Sequence, residues 1–512
     1  MLFNSYTFIF GFLPVTLGGF FLLGRIGRRG PALAWLFGAS LVFYAWWNPA
    51  DLPFLLVSIA FNYTLSLALR RVPGGHLRTS ILGAGVAANL LFLGYHKYAG
   101  FLVASINAVA GTRLPAIHRP LPLAISFFTF QQIVFLVDGF RRRRAATGPL
   151  RYATCVSFFP HLLAGPIVQY SQLMPQFTRR AILRPQAMMI AAGITIFTIG
   201  LVKKVIFGDT LARYVPIAFG AAASGLELTL VEAWAAALSF TFQIYFDFSG
   251  YSDMAIGLAL MLGIALPVNF NSPYKADSII DFWRRWHITL SAFLRDYLYI
   301  PLGGGRAGHL RRYVNLMVTM LLGGLWHGAA WTFVAWGGLH GLYLLINHAW
   351  RAAGIRTTVP GSRYAARLVT FAAVVIAWVL FRADTLDSAG RIIGAMFGAN
   401  GFVLPHAWTA GIAALAGGGA PGPVARGMGT LGGGSELGWL AASFVVVWLC
   451  PNTQQIMAAW ARSHFASHAM ALAEPAHLAW QPVPRWGLAI ALLAFIGIMG
   501  LTRASAFIYF NF

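Results

Sequence analysis

Charge is what this 512-residue chain has least of: 10% of its residues are charged, and only 14 of them are acidic. A water-soluble domain of this length needs far more charge to cover its surface, so the composition excludes that class. A hydrophobic content of 58% and a mean hydropathy of +0.68 point the same way. Cysteine is nearly missing as well. Cys155 and Cys450 stand alone without CxxC spacing, which implies neither a disulfide framework nor a zinc site, and no metal is expected. No P-loop or dinucleotide-binding glycine fingerprint occurs. The opening Met1-Leu2-Phe3-Asn4 has no basic region ahead of its apolar stretch, so a removable signal peptide is not expected.

What the chain does have is uncharged runs: 5–24, 31–50, 52–69, 79–95, 120–137, 185–202, 437–461 and 486–502. Most are close to the ~20 residues that cross a hydrocarbon core. The expected class is an all-α polytopic membrane protein, with about eleven or twelve transmembrane or re-entrant helices. Arg25, Arg28 and Arg29 follow the first apolar run, which places the N-terminus outside and this turn in the cytoplasm. Counting forward puts Arg70, Arg71, Arg78 and the run Arg141 to Arg144 inside too. The net charge of +23 would indicate nucleic acid in a soluble protein, but here most of it sits in short turns. It serves topology and attraction to anionic lipid; a sharper reading has part of it binding a polyanionic donor such as coenzyme A.

No clean domain boundary is visible, so 1–512 is read as one membrane domain. Residues 1–140 are N-terminal helices, 141–350 a catalytic core and 351–512 C-terminal helices with a glycine-rich loop at 399–435. Within 151–178, the segment Phe158 to Pro166 is apolar but broken by two prolines and a glycine. Non-helical backbone there must be sheltered by protein or line a cavity, as in a re-entrant loop. Residues 273–313 are too charged to cross, and Asp281 to Tyr299 reads as one amphipathic helix lying in the interface. No inverted repeat is evident, which disfavours a transporter.

Three constellations could carry chemistry. From Tyr313 to Trp350 there is no Asp, Glu, Lys or Arg, and His327 lies near the middle. One helix through that run would be roughly 57 Å long, too long for one crossing. Two crossings, or one plus a re-entrant piece, would bury His327 between them. An ionisable group at membrane depth is expensive, and imidazole suits a general base, so function outweighs a satisfied core histidine. Gly323, Gly324 and Gly328 would allow close helix approach or leave room for a substrate. His340, thirteen residues on, is a supporting candidate that would line the same cavity.

The second constellation, Asp281-Phe282-Trp283-Arg284-Arg285-Trp286-His287, reads either as an interfacial helix or as a donor-entry site. In the latter, guanidinium groups hold phosphates and indoles stack on a purine. The third, Gln243 to Asp253, puts Asp247 and Asp253 in an apolar helical region. Six apart, they cannot share one face of a regular helix. The Ser249-Gly250 step is expected to break or bend it, with a structural pairing to the basic 275–295 segment favoured over catalysis.

Together these blocks resemble the membrane-bound O-acyltransferase family. The resemblance rests on Tyr245 to Met254, Phe282 to His287, Arg295-Asp296-Tyr297-Leu298-Tyr299 and Gly323 to Gly328, in that order. The opening Met1 to Ser5, Phe159 to Pro166 and the aromatic tail ending at Phe512 resemble its bacterial alginate O-acetyltransferase branch. The resemblance covers nearly the whole chain.

It implies a helical bundle around a central funnel or tunnel. It also implies acetyl transfer across a bacterial inner membrane, from cytoplasmic acetyl-CoA to an exopolysaccharide such as alginate, through a periplasmic serine-dependent partner. No permanently bound cofactor is implied. The family histidine maps onto His327 and a supporting one onto His340. Lys275, Trp283, Arg284, Arg285, His287 and Arg295 become donor-binding candidates, and Asp247, Tyr251, Asp253 and Trp326 tunnel-lining ones. His327 would act as general base or as transient acetyl acceptor. Competing expectations are D-alanyl transfer from a carrier protein to teichoic acid, and a non-enzymatic component of polysaccharide export.

Overall fold

A computed structural model describes residues 1–117, 119–142, 148–306, 308–354, 361–402, 434–464, 473–503 and 508. The described chain is helical, and six of its helices are long and apolar enough to cross a membrane. These are Thr7–Arg25, Pro49–Arg71, His76–Ala110, Ala187–Ala223, Ser362–Arg382 and Pro484–Thr502. Arg29–Ala45, Ile125–Arg142, Leu230–Met261, His309–His327, Trp331–Ala352 and Gly434–Leu449 complete the bundle. Outer helices leave large apolar side chains such as Val109, Leu449 and Leu488 exposed, as a lipid-facing belt requires. The glycine-rich 399–435 stretch and the aromatic tail lie almost wholly outside the described residues.

Helix ends sort the basic residues onto one rim. Arg78 donates to Leu69 O at 3.1 Å and Phe140 O at 2.8 Å, gathering the ends of three helices. On the same rim Tyr297 bonds Asp138, Arg351 reaches Ser278, Lys275 donates to Cys450 O, and Arg363 and Arg367 clasp Asp277. The opposite rim carries few cations. There Tyr44 donates to Leu123 O, Leu123 N to Asp51, and Tyr6 to Ile498 O.

The centre of the bundle is Leu230–Met261, 32 residues and almost entirely buried. Thr229 and Glu232 start it with a reciprocal capping box. It runs unbroken through Ser249-Gly250, contrary to the expected bend. The physical reason lies in its neighbour. A Cβ on Gly250 would sit 2.7 Å from Gly200 O, and one on Gly193 2.6 Å from Gly257 O. These glycines serve backbone-to-backbone packing against Ala187–Ala223, not flexibility. Asp247 and Asp253, on different faces of one helix, do not pair with the 275–295 segment either. Asp253 meets Lys203 at 2.8 Å, and Asp247 meets Lys204 at 2.5 Å.

The uncharged run forms a hairpin, His309–His327 and Trp331–Ala352, joined by a short turn at Gly328. Its arms touch through glycine. A Cβ on Gly324 would lie 2.2 Å from Phe333 O, and one on Gly337 2.3 Å from Met320 O. Gly324 therefore serves close approach, not substrate room. Gly337→Ala is expected to lower stability by about 1–3 kcal/mol, because the obstacle is backbone and cannot swing aside. A detergent thermal melt indistinguishable from wild type would show that the arms can separate at little expense.

Candidate functional site

His327 is the last residue of the first hairpin arm, buried at the tip. Its ring packs edge-on against Trp336 and Phe381, each with centroids 5.1 Å away, and Trp326 at 4.8 Å. His340, one arm over and fully buried, packs on the far side of Trp336 at 4.8 Å and against Trp283 at 5.1 Å. Trp336 thus stands between the two histidines. The two expected imidazoles share one aromatic box, walled also by Trp378.

The third histidine changes the reading of its segment. Ile279–Arg285 and Ile288–Leu294 are two short helices, not one interfacial helix. They break at His287, which adopts the left-handed conformation with φ 41°, strained for a residue with a Cβ. Asn269 splints the break. Its carbonyl O accepts from Ile288 N at 2.9 Å, and its side-chain Oδ1 accepts from Thr289 Oγ1 at 2.9 Å and His287 Nδ1 at 3.1 Å. Thr289 N, which can only donate, also reaches Oδ1 at 3.4 Å and so fixes that end as the acceptor, leaving the amide nitrogen to donate to Ser252 at 3.2 Å. His287 is therefore protonated on Nδ1, and its Nε2 carries a lone pair. That ring is fully buried, 6.5 Å from His327 between centroids, so His287 belongs to the core of the site and not to its basic surface.

Buried polar atoms without a protein partner concentrate here. Among the described residues, Trp283, Trp326, Trp336 and Trp378 each bury an indole N–H with no acceptor, His287 its Nε2 and His340 both ring nitrogens. A buried donor left unmade costs about 1–3 kcal/mol, so such clusters call for an explanation.

The remaining candidates divide by position. Arg284 is exposed, Arg285 pairs with Asp281 and Arg295 with Asp296, and Lys275 donates to Cys450 O. All four lie toward the basic rim, with Trp283 between that surface and His340. The hydrogen bonds from Arg363 and Arg367 outweigh the partial burial of Asp277 and hold its carboxyl below the usual range. Trp326 and His327 line a cavity of about 90 Å³ with Lys97, Leu163 and the segment Leu121–Phe127. Asp247, Asp253 and Tyr251 do not line it: the two carboxylates hold the Lys203-Lys204 seam, and Tyr251 stacks on Phe3 at 4.7 Å.

Sequence reasoning missed Asn269 and Lys97. For Lys97 a signal existed, a single cation between the apolar 79–95 run and the next charge at Arg113. For Asn269 there was none, since its role depends on a break that the sequence does not announce. The re-entrant expectation for 151–178 meets a segment whose Phe158 to Val168 is wholly buried. His161 there is satisfied by Gln131 and Cys155 O, as a structural histidine should be.

A profile described as the membrane-bound O-acyltransferase family matches residues 124–385. The chain is 44% identical over 433 residues to a peptidoglycan O-acetyltransferase of Helicobacter pylori, covering 79% of this chain and 81% of that one. It is 43% identical over 406 residues to a probable alginate O-acetylase of Azotobacter vinelandii, covering 78% of each. A teichoic acid D-alanyltransferase of Streptococcus thermophilus is 25% identical over 291 residues, 51% of this chain and 68% of that protein.

Proposed function

Because this chain belongs to the membrane-bound O-acyltransferase family and is an O-acyltransferase, we propose that it draws acetyl groups from cytoplasmic acetyl-CoA and passes them across a bacterial inner membrane. The acceptor chemistry is a hydroxyl outside, borne by a serine-dependent periplasmic partner that acetylates an exported polysaccharide such as alginate. The observation that carries this reading is the aromatic box. A string of buried, unpartnered donors runs from Trp283 through His340 and Trp336 toward His327. Such a channel suits a thin, polar, thioester-bearing arm.

On this reading the basic rim is the cytoplasmic one, by its excess of Lys and Arg. Arg284, Arg285, Arg295 and Lys275 meet the phosphates of the donor, and the pantetheine arm enters beside Trp283. The acceptor reaches His327 from the opposite rim, through the cavity lined by Leu121–Phe127. That cavity holds an acetyl group or a few waters and is far too small for a nucleotide. His327 takes the proton of the acceptor hydroxyl as its oxygen attacks the thioester carbonyl. The C–S bond breaks, and the thiolate of coenzyme A leaves with that proton. The protein's share is positioning and exclusion of water.

The decisive measurement is release of free coenzyme A by purified protein in nanodiscs given radiolabelled acetyl-CoA. Saturable release is expected, accelerated by an added hydroxyl acceptor. Absence of release with acetyl-CoA, together with turnover of an acylated carrier protein, would replace the donor.

A further inference from the structure

His327 terminates a helix, and the last carbonyls of a helix need partners from elsewhere. They find them on a different helix, His76–Ala110. Lys97 Nζ donates to Trp326 O at 2.6 Å, His327 O at 3.1 Å and Ser126 Oγ at 3.3 Å. Tyr98 Oη donates to Leu325 O at 3.0 Å. Two adjacent side chains thus close three consecutive carbonyls, ending on that of His327 itself. The helix carrying them widens by one residue per turn at Gly94–Tyr98. Such insertions re-aim side chains and recur at functional sites.

Lys97 is an unusual choice for a cap. Among the described residues no carboxylate lies within ion-pair distance of it. A lysine at membrane depth is expensive and is kept where it serves something. Here a positive charge at a helix C-terminus is favoured by the helix dipole, and all three ammonium protons have acceptors. Lys97 also lines the cavity beside His327 and, on its other side, an open vestibule of about 460 Å³ with Tyr95, His96, Ile117 and Arg119. It stands where the acceptor-side opening meets the hairpin tip.

The geometry points to Lys97 as the positioning residue of the reaction: by capping the carbonyls of Trp326 and His327 it fixes the hairpin tip and holds the His327 imidazole at the inner end of the acceptor cavity. This rests on the role given to His327 above. Lys97 does not touch the reacting atoms. Its removal leaves the tip loose, and a displacement near 1 Å is enough to lower turnover on the order of a hundredfold.

The test compares wild type, Lys97→Met, Lys97→Gln, Tyr98→Phe and His327→Ala in nanodiscs, reading coenzyme A release over a range of acetyl-CoA. Lys97→Met is expected to lower kcat about a hundredfold with the donor KM within about twofold of wild type. Lys97→Gln, which can still donate to the two carbonyls, is expected to recover part of that loss. A Lys97→Met variant with wild-type kcat, while His327→Ala is inactive, overturns the role of Lys97 alone. Equal rates for His327→Ala and wild type overturn the underlying reading instead. A rise in donor KM at unchanged kcat would make Lys97 a binding residue and sink the proposal. If Lys97→Met does not fold, Lys97→Gln decides by the same kcat criterion. Aggregation of both, with Tyr98→Phe folded, assigns Lys97 to folding and also overturns it.

Discussion

Replacing His327 by alanine is expected to reduce acyl-CoA turnover by on the order of 10³ to 10⁴, with the protein still folded and donor binding retained. The magnitude follows from what a positioned base contributes to proton transfer. Retention of fold follows from position: His327 ends its helix, and of the aromatic side chains around its ring Trp336 and Phe381 remain packed against each other while Trp326 remains packed on Phe127 and Phe130. His287→Gln is expected to fall by a smaller factor, about 10². Its Nδ1 is committed to Asn269, so only Nε2 can assist, either by accepting a proton or by orienting the acceptor. The check is a kcat and KM series with folding verified by chromatography. If His287→Gln lost more than His327→Ala, the base would have to be reassigned to His287.

The sequence showed the histidine but not its surroundings, and the reason is physical. Three imidazoles, His327, His340 and His348, fall in 38 residues without Asp, Glu, Lys or Arg, and His327 is the one nearest the middle, where an ionisable group is most expensive, so it is visible without coordinates. The hairpin is equally legible, because the run is too long for one crossing. The rest depends on contacts between distant segments. Asn269 is eighteen residues from His287 and Lys97 is 230 from His327, and no periodicity links either pair. The expected single helix over 281–299 failed because helical spacing continues across Trp286-His287 while Asn269 and Asn271 intercept the backbone there. Ser249-Gly250 misled in the opposite direction. A glycine that breaks a helix and a glycine that lets two helices touch read alike until the neighbouring helix is in place.

The same neighbouring helix carries the other large expectation. Lys204, buried, lies 2.5 Å from both Asp209 and Asp247, and Asp247 also accepts from Ile508 N at 2.9 Å. One ammonium therefore sits between two carboxylates in a site that excludes water, and the three acids and two lysines of this seam leave a formal surplus of one negative charge. Removing one partner of a buried ion pair typically costs about 3–5 kcal/mol, because the uncompensated charge stays behind. Lys204→Met removes the shared partner of two acids and is expected to reach or exceed that range. Asp247→Asn is expected to cost much less, since Lys204 keeps Asp209 and the amide oxygen can still accept from Ile508. Thermal unfolding in one detergent should then rank wild type first, Asp247→Asn second and Lys204→Met far below. A reversed order would mean that the Asp247 carboxylate, through Ile508 N and its helix, holds the seam more than the Lys204 ammonium does. The ranking also bears on the site. This seam fixes Leu230–Met261, that helix carries Ser252, and Ser252 receives the Asn269 amide that splints the break at His287. A variant that loosens the seam without unfolding should slow turnover through His287 while leaving the Lys97 cap untouched, so its kcat defect should add to that of Lys97→Met.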